Sequence, residues 1–289
     1  MKAAKAAERA RARQGDLDAP PPFEAPALNE VQQRAVDALR ADGIAVVQFS
    51  ELFDDAFWAE LEADIARFVS EKSEMVRNLG PKPAKKEEFI VRRFFIKGEG
   101  TKPLFSLDSP WLRLALSEMV LDIVNAYREQ LTTLYYLDNW FTVPFTGADK
   151  RIASQRWHRD PEEAHVTKVF VYFSDVDEES GPFEYVKGSP AGNRYGGYQP
   201  WGEGSKHPNE DELNQETAPE DRVTLTGPAG TMIFCDTGGF HRGGFARSKP
   251  RILSISTYVS ASTGMSHRFE VEHPEREAQL ASKVRAALG

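Results

Sequence analysis

The spacing of apolar residues changes period part-way along this 289-residue chain, and that change constrains the fold more than any other feature. Up to about residue 130 the apolar positions recur at helical spacing. Leu28, Val31, Ala35 and Leu39 share one face, Asn29 stands where a helix cap belongs with Gln32 three residues later, and Gly43 closes the stretch. Gly43–Phe49 reads as a short buried strand. Asp54 to about Val69 reads as a second amphipathic helix, with Phe57, Leu61, Ile65 and Phe68 on its inner stripe. A third starts at the cap-and-proline pair Ser109-Pro110 and runs to about Tyr127. Beyond residue 131 the apolar runs shorten, grow rich in Val, Ile, Thr, Tyr and Phe, and are bounded by Gly, Pro and Asp. Strands are predicted at Thr132–Pro144, Val166–Val176, Phe183–Lys187, Val223–Thr226, Thr231–Cys235 and Arg251–Ser260. Short strands in series, without helices between them, form an antiparallel sandwich or barrel.

The expected class is therefore α+β, an all-β core with helical support. A helical layer at 28–130, a β core at 131–262 and a charged C-terminal helix at 273–288 make one domain over 26–289. A charged tail at 1–25 precedes it, read as a frayed end with an amphipathic transit segment as the alternative. No internal repeat is visible.

Composition removes several classes of function. Hydrophobic residues make up 40% of the chain, enough for a packed core. The densest apolar runs, Gly43–Val47 and Val169–Phe173, are far too short to span a bilayer. The single cysteine, Cys235, can form no internal disulfide and belongs to no CxxC pair, which fits a reducing, cytoplasmic setting; it reads as a buried strand residue. Net charge is −8, with basic residues gathered in Met1–Gly15 and acidic ones in Glu203–Asp221. No long basic stripe with interleaved aromatics occurs, so nucleic acid is not the expected partner.

Chemistry gathers at three places. In an extended strand, side chains two apart share a face, so His158 and Asp160 in Trp157-His158-Arg159-Asp160 can grip one ion together. Taken alone, the pair reads rather as a solvated strand end. His241 follows the glycine-rich run Thr237-Gly238-Gly239-Phe240, which lets the backbone fold tightly and bring one imidazole close to a metal. Two histidines and a carboxylate on one face of an octahedron leave three positions open, as in non-haem Fe(II) oxygenases. Ten residues on, Arg251 opens the last long strand. If buried inside a barrel it requires an anion, and its planar fork matches a carboxylate; otherwise it is a surface arginine flanking Lys249-Pro250.

These residues, in this order, resemble the iron- and 2-oxoglutarate-dependent dioxygenases. Gln155-Arg156-Trp157-His158-Arg159-Asp160, Gly181-Pro182-Phe183 through Gly188-Ser189-Pro190, and Gly230-Thr231-Met232-Ile233-Phe234 resemble the phytanoyl-CoA dioxygenase-type branch. The resemblance spans roughly Leu28 to Ser260. It implies a double-stranded β-helix (a cupin-like jelly roll) with N-terminal helices. It further implies Fe(II) on His158, Asp160 and His241, with 2-oxoglutarate and O2 as co-substrates and Arg251 anchoring the distal carboxylate of 2-oxoglutarate. Some relatives add a serine two residues after that arginine; here the position is Leu253, so the second donor must come from elsewhere, with Gln155, Thr237 and Tyr172 as candidates. The family's Gly-Ser-His ends here in Pro190. Because Asp160 is present, hydroxylation or a related oxidation is implied rather than halogenation.

The expected partner is a small-molecule substrate, with an anionic one as an option, because Lys82–Lys102 carries seven basic residues against three acidic. The loop 190–221, with Arg194, Tyr195, Tyr198 and Trp201, is a candidate lid, or else packs on the sheet. His165 and His207 have no metal partner at a recognisable spacing. Two other readings stay open: a metal-dependent jelly-roll enzyme that does not use 2-oxoglutarate, such as an isomerase or another oxygenase, and a non-catalytic jelly-roll binding module. The oligomeric state is not legible.

Overall fold

In the computed structural model, residues 23–78, 90–92, 102–144, 151, 153–198, 207–273 and 279–289 are described. The first helix, α1 (Glu30–Asp42), is bounded as its sequence dictates. The Asn29 side chain accepts from the Gln32 N–H, the Gln32 side chain accepts from the Asn29 N–H, and Gly43 ends the helix at φ 78°. A Cβ at Gly43 would also lie 2.5 Å from the Tyr185 hydroxyl, so glycine is required there on two counts. Ala35, Val36 and Leu39 are buried, while Leu28 and Val31 are only half-buried.

The other helices are α2 (Asp55–Asn78), α3 (Pro110–Ala115), α4 (Glu118–Arg128), α5 (Glu210–Glu216) and α6 (Ser282–Leu288). The strands are β1 (Ile44–Gln48), β2 (Ile90–Arg92), β3 (Leu104–Phe105), β4 (Thr132–Thr142), β5 (Thr167–Tyr172), β6 (Phe183–Val186), β7 (Arg222–Leu225), β8 (Thr231–Asp236), β9 (His241–Gly243), β10 (Arg251–Ser260) and β11 (Glu270–Val271). The six strands expected beyond residue 131 are all present, β10 over its expected span.

The expected single helix from Ser109 to Tyr127 is instead two. Ser117 caps a fresh start by accepting from the Val120 N–H, and Leu116 leaves the helical path between them. Apolar residues continue at helical spacing through the break, so periodicity alone joins what the cap separates. Of the expected C-terminal helix at 273–288, the helix is seen over Ser282–Leu288, and residues 274–278 lie outside the described residues. The segment 190–221 carries α5, and its Arg194 and Tyr195 side chains bond Asp221 at 2.8 and 2.7 Å. Tyr195 and Tyr198 pack against Trp157, Val186, Leu213 and Phe240. Trp201, and most of Lys82–Lys102, lie outside the described residues.

Two sheets face each other, in a jelly-roll core. The larger has the order β1-β8-β5-β10-β4-β2 and the smaller the order β7-β6-β9, with β3 and β11 paired separately. Period-2 alternation divides the larger sheet's side chains between two environments. From β5, Val169 and Val171 join the helices in one apolar cluster, whereas Phe170 and Tyr172 turn inward with Ile233, Cys235, Leu253 and Ile255. β5 and β8, central in the larger sheet, are covered on both faces and are buried at every residue. Where α2 meets the sheet, the Trp58 and Phe173 rings stack at 4.8 Å. Among the described residues, no helix is long and apolar enough to cross a membrane.

Candidate metal centre

The space between the sheets contains a cavity of about 190 Å³, walled by β4, β5 and β10 on one side and β6 and β9 on the other. At its side stand His158, Asp160 and His241, whose ligand atoms all lie within 4.8 Å of one another. Backbone pairing brings these distant stretches together. The His158 N–H donates to the His241 carbonyl at 3.1 Å, and the His241 N–H returns a bond to His158 at 3.0 Å. The Asp160 N–H donates to the Thr237 carbonyl at 2.9 Å.

The glycine turn is built for this approach. Asp236 accepts from the Val166 and Gly238 N–H groups. A Cβ at Gly238 would fall 2.1 Å from the Ala164 carbonyl oxygen, and one at Gly239 would fall 2.5 Å from the Tyr185 hydroxyl. No side chain fits at either position. Ser189 holds the far side of the turn, accepting from the Phe240 N–H at 2.7 Å. Arg159, between the two ligands of the HxD motif, points away from them. It donates to the Ser189 and Gly238 carbonyls and lies 4.0 Å over the Phe240 ring.

Each histidine is oriented through its other ring nitrogen. Nδ1 of His158 meets the Arg156 carbonyl at 2.8 Å, and Nδ1 of His241 meets that of Gly239 at 3.0 Å. A carbonyl can only accept, so each Nδ1 carries the proton and each Nε2 offers its lone pair toward Asp160, at 4.0 and 3.8 Å. Burial, and for His241 the neighbouring His158 as well, lowers both imidazole pKa values, that of His241 to about 3. Burial would raise that of Asp160, but Lys168 and the histidines outweigh it and hold the carboxyl ionised. Neutral imidazoles beside a carboxylate are the protonation states a divalent metal needs.

Arg251 is buried in the same cavity, with Nε and Nη1 lacking any hydrogen-bond partner among the described residues. Burial lowers its pKa, and the neighbouring Tyr172 offsets that shift only in part. Of the three candidates for a second donor, Gln155 and Tyr172 line the cavity. The Tyr172 hydroxyl already donates to the Leu225 carbonyl at 3.0 Å. Thr237 does not line it. Its hydroxyl donates to the Val166 carbonyl at 3.1 Å, and what Thr237 brings to the site is the carbonyl that receives the Asp160 N–H rather than a donor facing the cavity. Thr142 is a residue the sequence reading missed. It is Arg251's cross-strand partner, lines the cavity, and has a buried hydroxyl without a partner. Only the β4–β10 register could have identified it.

Lys168 and Glu162 were missed as well. Lys168 occupies the inward face of β5 beside Phe170 and Tyr172, with Nζ 2.6 Å from Asp160 Oδ2. A lysine at an inward position of a strand otherwise made of Thr, Val, Phe and Tyr was the available signal. Glu162 lines the cavity two residues after Asp160, and its buried Oε2 has no partner. His165 bonds Asp236 and His207 the Trp157 carbonyl, so neither joins the triad.

The family described as phytanoyl-CoA dioxygenase matches this chain over residues 20–251. No curated protein matches the sequence. Among solved structures, EctD from S. alaskensis with bound Fe is 18% identical, with a TM-score of 0.55 over 89% of this chain and 87% of that one. AviO1 from Streptomyces viridochromogenes is 14% identical, with a TM-score of 0.51 over 81% of this chain and 97% of that one. HygX from Streptomyces hygroscopicus, with nickel and 2-oxoglutarate bound, is 17% identical, with a TM-score of 0.50 over 81% and 88%. These likenesses carry the jelly-roll fold.

Proposed function

We propose, from the premise that this chain belongs to the phytanoyl-CoA dioxygenase family, that it is a non-haem Fe(II)- and 2-oxoglutarate-dependent dioxygenase oxidising a C–H bond of a small molecule. The observation that carries this reading is the meeting of two kinds of group in one cavity. Three metal-ligating atoms lie within 4.8 Å of one another, and a buried guanidinium keeps two nitrogens unpartnered. Native proteins rarely leave buried charged donors unanswered, so Arg251 is a site for an anion.

The residues divide the work. His158, Asp160 and His241 would hold Fe(II), and their neutral and ionised states require no proton to leave on binding. Bound there, the metal supplies the activation of O2 that couples decarboxylation of 2-oxoglutarate, to succinate and CO2, to oxidation of the substrate. Arg251 would donate to the distal carboxylate of 2-oxoglutarate, with the Thr142 hydroxyl as the second donor and Tyr172 steadying the guanidinium. Phe170, Phe183, Leu253 and Ile255 keep that end of the cavity apolar, which strengthens the charge-assisted bonds.

Ordinary small-molecule sites occupy about 300–1,000 Å³. A cavity of about 190 Å³ suits a compact keto-acid and one end of a second molecule, so the substrate would extend beyond it on the side of the half-buried Trp140 and Glu162 and the exposed Arg268. With Asp160 filling the carboxylate position, hydroxylation or a related oxidation is favoured over halogenation. The unpaired Arg251 donors weigh against a metal enzyme that does without 2-oxoglutarate.

The test is O2 uptake with matched succinate release, measured across a substrate panel with Fe(II) and 2-oxoglutarate. Turnover should require both additions and should vanish in D160A with the far-ultraviolet circular dichroism unchanged. Full turnover in D160A would remove this carboxylate from the metal. Anaerobic addition of 2-oxoglutarate to the Fe(II) protein should produce a visible charge-transfer band, which an enzyme not using the keto-acid would lack.

A further inference from the structure

Lys168 has no place in the scheme above, yet it is the cation in contact with the triad. Its Nζ lies 2.6 Å from Asp160 Oδ2, and only 9% of its side chain is exposed. It stands on β5 opposite Thr257 of β10, with the Tyr136 ring 5.9 Å from the ammonium. Held 2.6 Å from the Asp160 carboxylate, with an aromatic ring beside it, the group is an ammonium. Glu162 also faces this charge, and Arg268 in turn faces Glu162.

A fixed ammonium at this position acts on a metal in two ways of the same sign. It shares the carboxylate that the metal must use, and it repels a dication through a partly desolvated interior where charges are poorly screened. A ligand that brings negative charge to the metal reverses the second effect, because the ammonium then faces an anion.

We propose that Lys168 is a positioning residue that weakens the triad's hold on a bare divalent metal and favours the metal together with an anionic chelator, so that metal and co-substrate load cooperatively. This rests on the metal site and the keto-acid of the proposed function. It adds an order of assembly: metal alone is held loosely, 2-oxoglutarate tightens it, and by linkage the metal tightens 2-oxoglutarate by the same factor.

The experiment is binding of Mn(II) to the full chain, by calorimetry or by the electron paramagnetic resonance signal of the free ion, with and without 2-oxoglutarate under anaerobic conditions. K168Q keeps a hydrogen-bond donor for Asp160 Oδ2 and removes the charge; K168R keeps the charge. In K168Q, Mn(II) alone should bind about tenfold more tightly than in the wild type, and the tightening by 2-oxoglutarate should shrink by about the same factor. K168R should behave as wild type in both. Equal or weaker binding of bare Mn(II) by folded K168Q would overturn the inference, and so would tight bare-metal binding by K168R. If K168Q does not fold, the wild type still decides: Mn(II) affinity unmoved by 2-oxoglutarate overturns the coupling. Loss of the proposed function looks different, since the wild type would then bind Mn(II) no better than D160A does.

Discussion

Two buried cations stand on the inner face of the larger sheet, near opposite ends of the β5–β10 pairing, and they are treated in opposite ways. Lys168 has its anion in place, the Asp160 carboxylate 2.6 Å away. Arg251 has a tyrosine neighbour but no anion, and two of its nitrogens donate to nothing. Leaving a buried charge unanswered costs several kcal/mol, so the two arrangements serve different ends. A charge already paired organises the groups around it. A charge left open would, on the proposed reading, recruit a molecule from outside, with the fold carrying its cost until that molecule arrives.

Breaking the open end should give the largest effect. R251A removes the fork that a carboxylate would bridge, at a loss of about 3 kcal/mol, so KM for 2-oxoglutarate should rise about 100-fold. KM for the substrate should move far less in the same succinate-release assay. An unchanged KM for 2-oxoglutarate would reject the anchoring role.

The paired end is probed by acid. His241 has its pKa lowered to about 3 in the folded chain against an ordinary imidazole value of 6.5. The unfolded chain therefore takes up a proton that the folded one refuses, and stability falls as pH drops through 6.5 toward 3. By pH 5 this group alone should have removed about 2 kcal/mol from the metal-free protein, read from urea midpoints in the presence of a chelator. H241Q should flatten that part of the profile; an equally steep profile would assign the acid sensitivity elsewhere.

The smallest expected effects separate two threonines. T142V removes an unpartnered hydroxyl opposite Arg251, and should raise KM for 2-oxoglutarate by about tenfold, the worth of one hydrogen bond to a charged group. T237V should leave that KM unchanged and cost at most about 1 kcal/mol of stability, because the Thr237 hydroxyl serves only the Val166 carbonyl. Equal KM effects from the two would undo the distinction drawn between them.

Much of this site could be read before any coordinates. His158, Asp160, His241 and Arg251 stand at spacings that the chemistry and the family resemblance both require, and the six main strands announced themselves by composition. What escaped depended on pairing between strands. Thr142 matters because the β4–β10 register sets it opposite Arg251, and register is invisible in a linear string. The three-residue β9 is held by β6 and by His158, and its own residues carry no strand propensity to speak of. The break at Ser117 is the reverse case. A short-range capping signal is present at Ser117, but apolar residues at helical spacing run straight through it and mask the break.

The reciprocal backbone bonds between His158 and His241 have a consequence for how the protein fails. They lie on a seam, where the stretch leading into the larger sheet is stitched to the edge of the smaller one. Prying the two layers apart by even one register step would scatter the ligand set while the strands on either side stayed intact. Loss of iron should therefore precede unfolding, and the metal would report whether the two halves of the barrel are closed.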